Sequence, residues 1–377
     1  MFKPLLTSMM LCIFLLSLPF NAAAKDFFKA EKLSDEGNVL PFSPDVLCQV
    51  ASNTADYLSL GSSYDPHANH AGVFKKMGIS VYRVKKTLDF ICQTSIEDSK
   101  AGRRSRLHDM AFLQQHFDII RWVPDRQQAK QFEQQKTLLK NLPEDQILLT
   151  KYYIKKAIGS AVPTTERPFA LYALPYDETK LSLEQAENNK DQLTRFKFSK
   201  QEILAGALDK NNLAKPLVYL SRQDLEDSLM QGTVRVDIPT DTGMRKAFFN
   251  VHRNNDHSYD RNLKKEQQKR YWYFKETNGV MGYGKDANHK ILIKPQVTVA
   301  GDMALLGLGK LMLLSHKNSQ GMKKHRLVIL ADTGGAFENN AYQLDLLSGY
   351  YHGWSDYHKA WKHVPDYTEA RILILKQ

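Results

Sequence analysis

The sequence predicts a mainly β protein with helices in its N-terminal part. From about residue 270 onward, short apolar runs alternate with turn residues at a density typical of a barrel or sandwich. Between about residues 45 and 145 the apolar residues recur three to four apart, which is typical of helices. Strand and helix signals mix between these zones. A chain of 377 residues has room for two domains or one elaborated domain.

The composition is that of a globular protein. Hydrophobic residues make up 42% and charged residues 25%, with a mean hydropathy of −0.45. These values exclude a disordered chain and a multi-span membrane protein. The 52 Lys and Arg residues exceed the 41 Asp and Glu residues, giving a net charge of +11. A basic surface suits an anionic partner, but a lysine-rich proteome background gives the same excess, so charge alone identifies no partner.

The first 24 residues have the features of a cleavable signal peptide. Lys3 supplies the positive start, residues 11–18 form an almost unbroken apolar run, and residues 22–24 are three alanines. The apolar run is too short to span a bilayer. Lys25 follows the cleavage site where a lipoprotein would have cysteine. We therefore expect a soluble exported protein in the periplasm or cell envelope.

Cleavage would leave two of the three cysteines, Cys48 and Cys92. In an oxidising compartment they can pair and close a long loop, so we predict a disulfide, with two buried free thiols as the alternative. Asp65, His67 and His70 lie close together in the sequence and invite a metal site. Their polar surroundings, containing Ser, Asn and Pro, favour a loop instead, and we predict no metal.

Local patterns predict most of the individual elements. Residues 110–120 have helical apolar spacing, and residues 125–142 form a polar helix candidate. A capping box of Ser199 and Glu202 opens a helix over 202–208. A further short helix is predicted over 221–229. The predicted strands are 169–174, 233–238, 271–274, 290–299, 311–314, 326–330 and 371–375.

Most familiar catalytic signatures are missing from the sequence. It contains no Gly-x-Ser-x-Gly elbow and no His-Glu-x-x-His helix, and the segment ending in Lys310 lacks parts that a phosphate loop needs. The conspicuous feature is an aspartate after each of several apolar runs: Asp302, Asp332 and Asp345. Burial and a neighbouring carboxylate both raise the pKa of a carboxyl group, which suits a general acid. The alternative for each aspartate is a turn-capping role.

Asp332 begins an Asp-Thr-Gly triplet, and a second such triplet begins at Asp241. Two of them suggest an aspartic protease, whose two carboxyl groups share a proton. The second triplet, however, follows Pro-Thr and precedes Met-Arg, which is typical of a polar turn between strands. The sequence therefore argues against a protease.

Seven segments provide a more specific signal. They are residues 149–153 (LTKYY), 199–208 (SKQEILAGAL), 230–233 (MQGT), 255–259 (NDHSY), 297–309, 325–337 and 342–345, the last three containing the aspartates. In this order they resemble the MltA family of membrane-bound lytic murein transglycosylases, with its C-terminal three-aspartate domain. Lys151 and Val234 stand where the family has glycine.

The resemblance implies non-hydrolytic cleavage of the MurNAc-β-1,4-GlcNAc bond of peptidoglycan, which leaves 1,6-anhydro-MurNAc ends. The muramoyl C6 hydroxyl attacks C1, so the nucleophile is intramolecular. One carboxyl group acts first as acid and then as base, and the resemblance assigns this role to Asp345. Asp332 would maintain the geometry of the site and raise the pKa of Asp345, and Asp302 would be structural or bind sugar hydroxyls. The resemblance implies no cofactor.

The resemblance also implies two domains with a glycan groove between them. Residues 25–155, the N-terminal helical part, and residues 273–377 would form a double-psi β-barrel domain, and residues 156–272 a smaller inserted β-domain. The candidate substrate-binding residues are Tyr152, Tyr153, Gln231, Gly232, Thr233, His257, Tyr259, Phe274, Gly334 and Gly335. For the aromatic candidates, packing in the core is the alternative. We expect glycan strands as the partner, no nucleic acid, peripheral envelope association and a monomer.

Two other functions remain open from the sequence. One is a peptidoglycan-binding protein without turnover. The other is a glycan hydrolase that uses Asp332 and Asp345 as its two carboxyl groups.

Overall fold

The computed structural model describes residues 27–33, 37–260 and 262–377. The predicted signal peptide, residues 1–24, lies outside them. The strands of the described residues are β1 (Phe28–Glu31), β2 (Asn38–Val39), β3 (Phe117–Trp122), β4 (Ile147–Ile158), β5 (Phe169–Pro175), β6 (Ala214–Leu220), β7 (Thr233–Thr240), β8 (Gly243–Asn254), β9 (Trp272–Thr277), β10 (Thr298–Ala300), β11 (Leu311–Lys317), β12 (Lys323–Asp332), β13 (Gln343–Tyr351) and β14 (Tyr367–Leu375). The helices are α1 (Pro44–Ser59), α2 (Val81–Lys100), α3 (Met110–His116), α4 (Arg126–Lys130), α5 (Leu183–Glu187), α6 (Lys200–Leu204), α7 (Arg222–Gln231), α8 (Met303–Leu306) and α9 (Trp354–Trp361).

Six strands close into a ring. Around it, β4 pairs with β14, then β11, β12, β10 and β13 follow, and β13 pairs with β4. The pairs β10–β12 and β13–β4 are parallel, and the other four are antiparallel. Closure satisfies the backbone hydrogen bonds of these strands without leaving an open edge. The ring brings β4, from the N-terminal half of the chain, together with five strands from the C-terminal part.

A second structural unit extends from the far end of β4. Residues 155–158 of β4 pair in parallel with β7, which continues through β8 to β9 as an antiparallel sheet. Strands β5 and β6 form a separate two-stranded sheet that packs against β9. This unit has its own buried apolar cluster, which includes Leu171, Leu225 and Phe249 and is distinct from the cluster that fills the ring.

The N-terminal helices cover the ring. Helix α1 packs against α2 and β12, and α2 packs against β14. A disulfide joins Cys48 of α1 to Cys92 of α2, with a sequence separation of 44 residues. Within the described ranges, no helix is both long enough and apolar enough to cross a membrane.

Replacing Cys48 and Cys92 together with serine is expected to lower the free energy of unfolding by about 2–4 kcal/mol, because the bridge restricts the unfolded chain. Denaturant unfolding of the oxidised protein and the double variant measures the difference. The reduced wild-type protein is the matched control and should unfold like the variant. Equal stability of the oxidised protein and the variant would contradict the prediction.

Several predicted elements are confirmed. Ser199 and Glu202 form the capping box at the start of α6, and the Ser221 side chain caps α7. The predicted strand over 169–174 is β5. The Asp-Thr-Gly triplet at Asp241 is the turn between β7 and β8, as its polar surroundings indicated. The predicted strands over 233–238, 311–314, 326–330 and 371–375 are also present, within β7, β11, β12 and β14. The strand predicted over 271–274 is present as β9, which begins one residue later and extends to Thr277.

Four predicted elements are wrong in whole or part. The helix over 202–208 ends at Leu204 and is followed by turns. The helix over 110–120 ends at His116, because the following residues form β3 and pair with β1 and β14. The helix over 125–142 is reduced to α4 and a later 3₁₀ turn, Thr137–Asn141. The strand over 290–299 is confined to β10. In that segment Pro295 has no N–H for a ladder and Gln296 adopts a φ of 68°.

Lys310, which the sequence placed in an incomplete phosphate-loop pattern, is fully buried just before β11. Its Nζ lies 5.7 Å from the centroid of the Phe74 ring and 3.3 Å from the Gly307 carbonyl oxygen, which it donates to. Burial lowers the pKa of Lys310 to about 7. The charged form is therefore disfavoured inside the fold.

Lys310→Met is expected to raise the free energy of unfolding at neutral pH by about 2 kcal/mol or more, because it removes a buried amine whose charged form the unfolded chain favours. The pKa of Lys310 is lower in the folded protein than in the unfolded chain. The free energy of unfolding of the wild-type protein therefore increases as pH rises from about 7 toward the ordinary lysine pKa, and the variant should not show this increase. Denaturant unfolding at pH 7 and pH 9 tests this, with the exposed Lys140→Met as control. A difference between Lys310→Met and wild type that is the same at both pH values would contradict it.

Candidate functional site

The ring places two of the predicted aspartates on either side of one small residue. Ala300 of β10 pairs with Asp332 of β12 on one side and with Asp345 of β13 on the other. Residues that pair directly across strands point to the same face of a sheet. With neighbouring strands roughly 4.8 Å apart, the two aspartate backbones lie about 10 Å apart. Ala300 itself is buried, with 4% of its surface exposed.

Asp332 is the last residue of β12 and is held by two donors. The Tyr152 hydroxyl donates to its Oδ2 at 2.7 Å, and the Thr333 N–H donates to its Oδ1 at 2.9 Å. Burial raises the pKa of Asp332 to about 6, although these hydrogen bonds and the charge of Lys290 act in the opposite direction. Desolvation is therefore the dominant influence on this carboxyl group.

Asp345 is in a different environment. Its Oδ1 is buried and has no hydrogen-bond partner among the described residues. Burial raises the pKa of Asp345 to about 6, the negative charge of Asp332 adds to the rise, and Thr150 and the charges of Lys136 and Lys151 oppose it. A carboxyl group with a free oxygen and a pKa in this range can both give and accept a proton near neutral pH.

A polar chain lies beside Asp345. Thr150 of β4 pairs with Asp345 across the strands. The Gln343 side-chain amide donates to the Thr150 hydroxyl oxygen at 2.7 Å, and Lys136 Nζ donates to Gln343 Oε1 at 2.6 Å. These contacts fix the residues that border the carboxyl group and keep one cation near it.

A cavity of about 380 Å³ opens beside Asp332. It lies between the ring and the second unit, since residues of β4, the α7–β7 junction, β8 and the segment 280–284 all line it. The predicted site residues that line it are Tyr152, Tyr153, Gln231, Gly232, Thr233 and Asp332. Asp345 is outside the lining and lies two strands from Asp332, on the other side of Ala300.

The cavity walls are fixed by local structure. Tyr153 stacks against Tyr357 with ring centroids 5.0 Å apart. Gly232 ends α7 with a φ of 74°, a conformation that favours glycine, and the Thr233 hydroxyl donates to Asn250 Oδ1 at 2.8 Å. The chain therefore turns sharply where three of the predicted binding residues follow one another.

Another wall depends on Asp65, which the sequence placed near two histidines. Its Oδ2 accepts hydrogen bonds from the hydroxyls of Tyr57, at 2.6 Å, and Tyr283, at 2.9 Å, and its Oδ1 accepts one from the His67 N–H. Asp65 thereby anchors Tyr283, a residue of the cavity lining. Within the described residues, no group of acidic, histidine and cysteine side chains is arranged to hold a metal ion.

Asp302 is separate from the cavity. It caps α8, its Oδ1 accepting a hydrogen bond from the Leu305 N–H, and its Oδ2 accepts one from the Asn340 N–H. The residue is only 4% exposed. Both oxygens are thus used to join α8 to the segment between Asp332 and Asp345.

The remaining candidates lie elsewhere. Phe274 was a candidate for stacking on sugar, with core packing as the alternative, and the stacking role is contradicted because the residue is 1% exposed within the core of the second unit. His257 lines a separate cavity of about 360 Å³. Tyr259 is exposed, with the Arg270 guanidinium 5.1 Å from its ring centroid. Gly334 and Gly335 are exposed immediately after Asp332 and Thr333.

Sequence reasoning missed Lys136, Thr150, Lys290 and the wall at 280–284. Thr150 carries a usable signal, because it lies two residues before Tyr152 in the same strand. The sequence around Lys136 and Lys290 gives no such signal. Lys136 lies in a polar segment, and Lys290 lies in a segment that was predicted to be a strand. Only the closure of the ring brings these lysines near Asp345 and Asp332.

Comparison with known proteins identifies the fold. No protein-family model matches the sequence, and no curated protein matches it. A membrane-bound lytic murein transglycosylase from Agrobacterium tumefaciens is 15% identical and matches over 88% of this chain and 92% of its own, with a TM-score of 0.55. MltA from E. coli with bound chitohexaose is 17% identical over 93% and 94%, with a TM-score of 0.52. MltA from Neisseria gonorrhoeae is 15% identical over 91% and 95%, with a TM-score of 0.51. The chain therefore has the MltA fold, and the predicted resemblance is confirmed at that level.

Proposed function

We propose that this protein is a lytic transglycosylase that cleaves the MurNAc-β-1,4-GlcNAc bond of peptidoglycan without water. The environment of Asp345 supports it most directly. Burial raises the pKa of this carboxyl group to about 6, and one of its oxygens is buried with no hydrogen-bond partner among the described residues. It lies in a fold shared with proteins described as lytic murein transglycosylases. A single proton-exchanging carboxyl group is what this reaction needs.

Asp345 acts twice in the proposed reaction. As a neutral acid it donates its proton to the glycosidic oxygen, and the bond from that oxygen to C1 of the muramoyl residue breaks. As a carboxylate it then accepts the proton of the muramoyl C6 hydroxyl while the C6 oxygen bonds to C1. The nucleophile belongs to the substrate, so no group is needed to activate water. Asp345 ends the cycle protonated, as it began.

Asp332 and Tyr152 support this cycle. The Tyr152 hydroxyl holds the Asp332 carboxylate in place, and the charge of Asp332 raises the pKa of Asp345. The nearby Lys136 opposes that rise and stabilises the carboxylate form that follows proton donation. Asp345 can therefore adopt both protonation states near neutral pH. The reaction requires this, because the same group acts first as an acid and then as a base.

We assign the domains as the resemblance implies. The closed ring of six strands would be the double-psi barrel, formed with the N-terminal helices and residues 273–377, and residues 156–272 would be the inserted domain. The separate apolar cluster of that segment supports the division. The glycan would run through the cavity between them, past Tyr152 and Tyr153, toward Asp345. The protein would act in the periplasm or envelope as a monomer without a cofactor.

The test is digestion of purified sacculi by the mature protein, followed by mass spectrometry of the released fragments. The proposal predicts muropeptides that end in 1,6-anhydro-MurNAc. Reducing ends would instead show a hydrolase that uses Asp332 and Asp345 as a pair. Binding to sacculi without any release would show a binding protein.

A further inference from the structure

Lys290 is a charged residue of the cavity whose role the proposed reaction leaves open. Among the described residues that line the cavity, Lys290 and Asp332 are the charged ones. Lys290 makes no hydrogen bond and no ion pair with any described residue, and it affects Asp332 through its charge. Both Asp332 oxygens are already used by Tyr152 and Thr333. The ammonium group therefore keeps its three donors available within this part of the chain.

The position of Lys290 is fixed by its backbone. The Ile291 N–H donates to the Tyr283 carbonyl oxygen and the Gly282 N–H donates to the Ile291 carbonyl oxygen, each at 2.8 Å. Gly284 packs directly against it, since a Cβ on Gly284 would lie 2.6 Å from Lys290 Cγ. The lysine thus projects from a paired segment with little freedom to move its Cα, which reduces the entropy lost when a ligand binds.

Partial burial of the Lys290 ammonium group removes part of its hydration, which costs free energy unless other groups replace the lost water. Burial lowers the pKa of Lys290, and the negative charges of Asp332 and Asp286 oppose that change. A partly desolvated ammonium forms stronger hydrogen bonds with an anionic group than an exposed one does. A carboxylate on a ligand would complete the interactions that the protein leaves open.

We propose that Lys290 binds a carboxylate carried by the muramoyl residue and so distinguishes substituted muramoyl sugar from plain N-acetylglucosamine in the cavity. This inference rests on the proposed function, since it concerns the same substrate. The carboxylate belongs either to the lactyl ether or to the attached peptide stem. Both sources have the same charge and the same hydrogen-bonding geometry, and both are absent from chitin-type oligosaccharides.

The test measures binding by calorimetry at pH 7 in the Asp345→Asn background, which prevents turnover. Three oligosaccharides of equal length are compared: a glycan with peptide stems, the same glycan after amidase has freed its lactyl carboxylates, and chitotetraose, which has none. Lys290→Gln removes the charge, and Lys290→Arg restores it. The exposed lysine variant Lys210→Gln is the control for a general loss of positive charge.

We expect Lys290→Gln to weaken binding of a carboxylate-bearing glycan by about tenfold or more, and chitotetraose by less than about twofold. Lys290→Arg should recover most of the affinity, and Lys210→Gln should change nothing. A loss confined to the stem-bearing glycan identifies the peptide carboxylate, and a loss for the stem-free glycan identifies the lactyl group. Equal losses for all three ligands, or no loss, would overturn the role of Lys290 while leaving the proposed function intact. Binding of none of them to any variant would overturn both.

Discussion

Asp345→Asn is expected to lower the release of anhydro-muropeptides by roughly 10²–10⁴-fold, the range typical for loss of a general acid–base group. The amide has almost the same shape as the carboxyl group but delivers no proton at neutral pH. Binding of glycan should survive, because the amide keeps the shape of the carboxyl group and the residues that line the cavity are unchanged. The rate is measured by mass spectrometry of sacculus digests and the affinity by calorimetry.

Stability provides an internal check on this variant. Since the pKa of Asp345 is raised to about 6 in the fold, the folded protein holds this proton more tightly than the unfolded chain does. This tighter proton binding stabilises the folded protein fully at pH values below the ordinary aspartate pKa, and the stabilisation is lost as pH rises toward 6. Asp345→Asn removes that loss, so at pH 7 it should melt at the same temperature as wild type or higher.

The control is Asp241→Asn in the exposed turn between β7 and β8. Because Asp241 lies in neither the ring nor the cavity, its variant should have the wild-type rate and melting temperature. An Asp345→Asn protein that forms anhydro-sugars at the wild-type rate would contradict the assignment of Asp345 as the acid.

Much of the fold follows from local sequence, but the ring does not. The capping residues of α6 and α7 act within four residues of their helices, so the sequence contains the whole cause. Strand β3 fails this test, because its residues have helical spacing and become a strand only by pairing with β1 and β14. Pairing with distant strands can override the local conformational preference of a segment, because strand formation depends strongly on the structural context.

The site shows the same division. The aspartates could be found from the sequence because each follows an apolar run, which is a local signal. The resemblance to a known family then assigned a role to each of them. The same reasoning placed Phe274 beside the substrate, since an aromatic residue at a strand end fits a sugar surface and a core equally well. Lys136 and Lys290 were missed because their relation to the carboxyl groups depends on ring closure between segments more than 40 residues apart in sequence.

Asp332→Asn is expected to lower turnover at neutral pH by about tenfold for each unit by which the pKa of Asp345 falls. The negative charge of Asp332 raises that pKa, and the amide lacks the charge. Asp345 must be protonated to act as an acid, so activity falls as pH rises through its pKa. The alkaline limb of the pH–rate profile should therefore move to lower pH in the variant, with turnover partly recovered at more acidic pH. A pH series of initial rates on sacculi measures both effects.

This shift separates the two carboxyl groups by function. If Asp332 acts through Asp345, Asp332→Asn keeps a residual, pH-shifted activity and still yields anhydro-sugars, whereas Asp345→Asn is inactive at every pH. Because burial also raises the pKa of Asp332 to about 6, removing its charge should leave the fold at neutral pH as stable as wild type or more so. A loss of activity from unfolding is thereby distinguished from a loss of acid strength. Two variants that are equally inactive, stably folded and unresponsive to pH would instead indicate that both carboxyl groups act directly, as in a hydrolase.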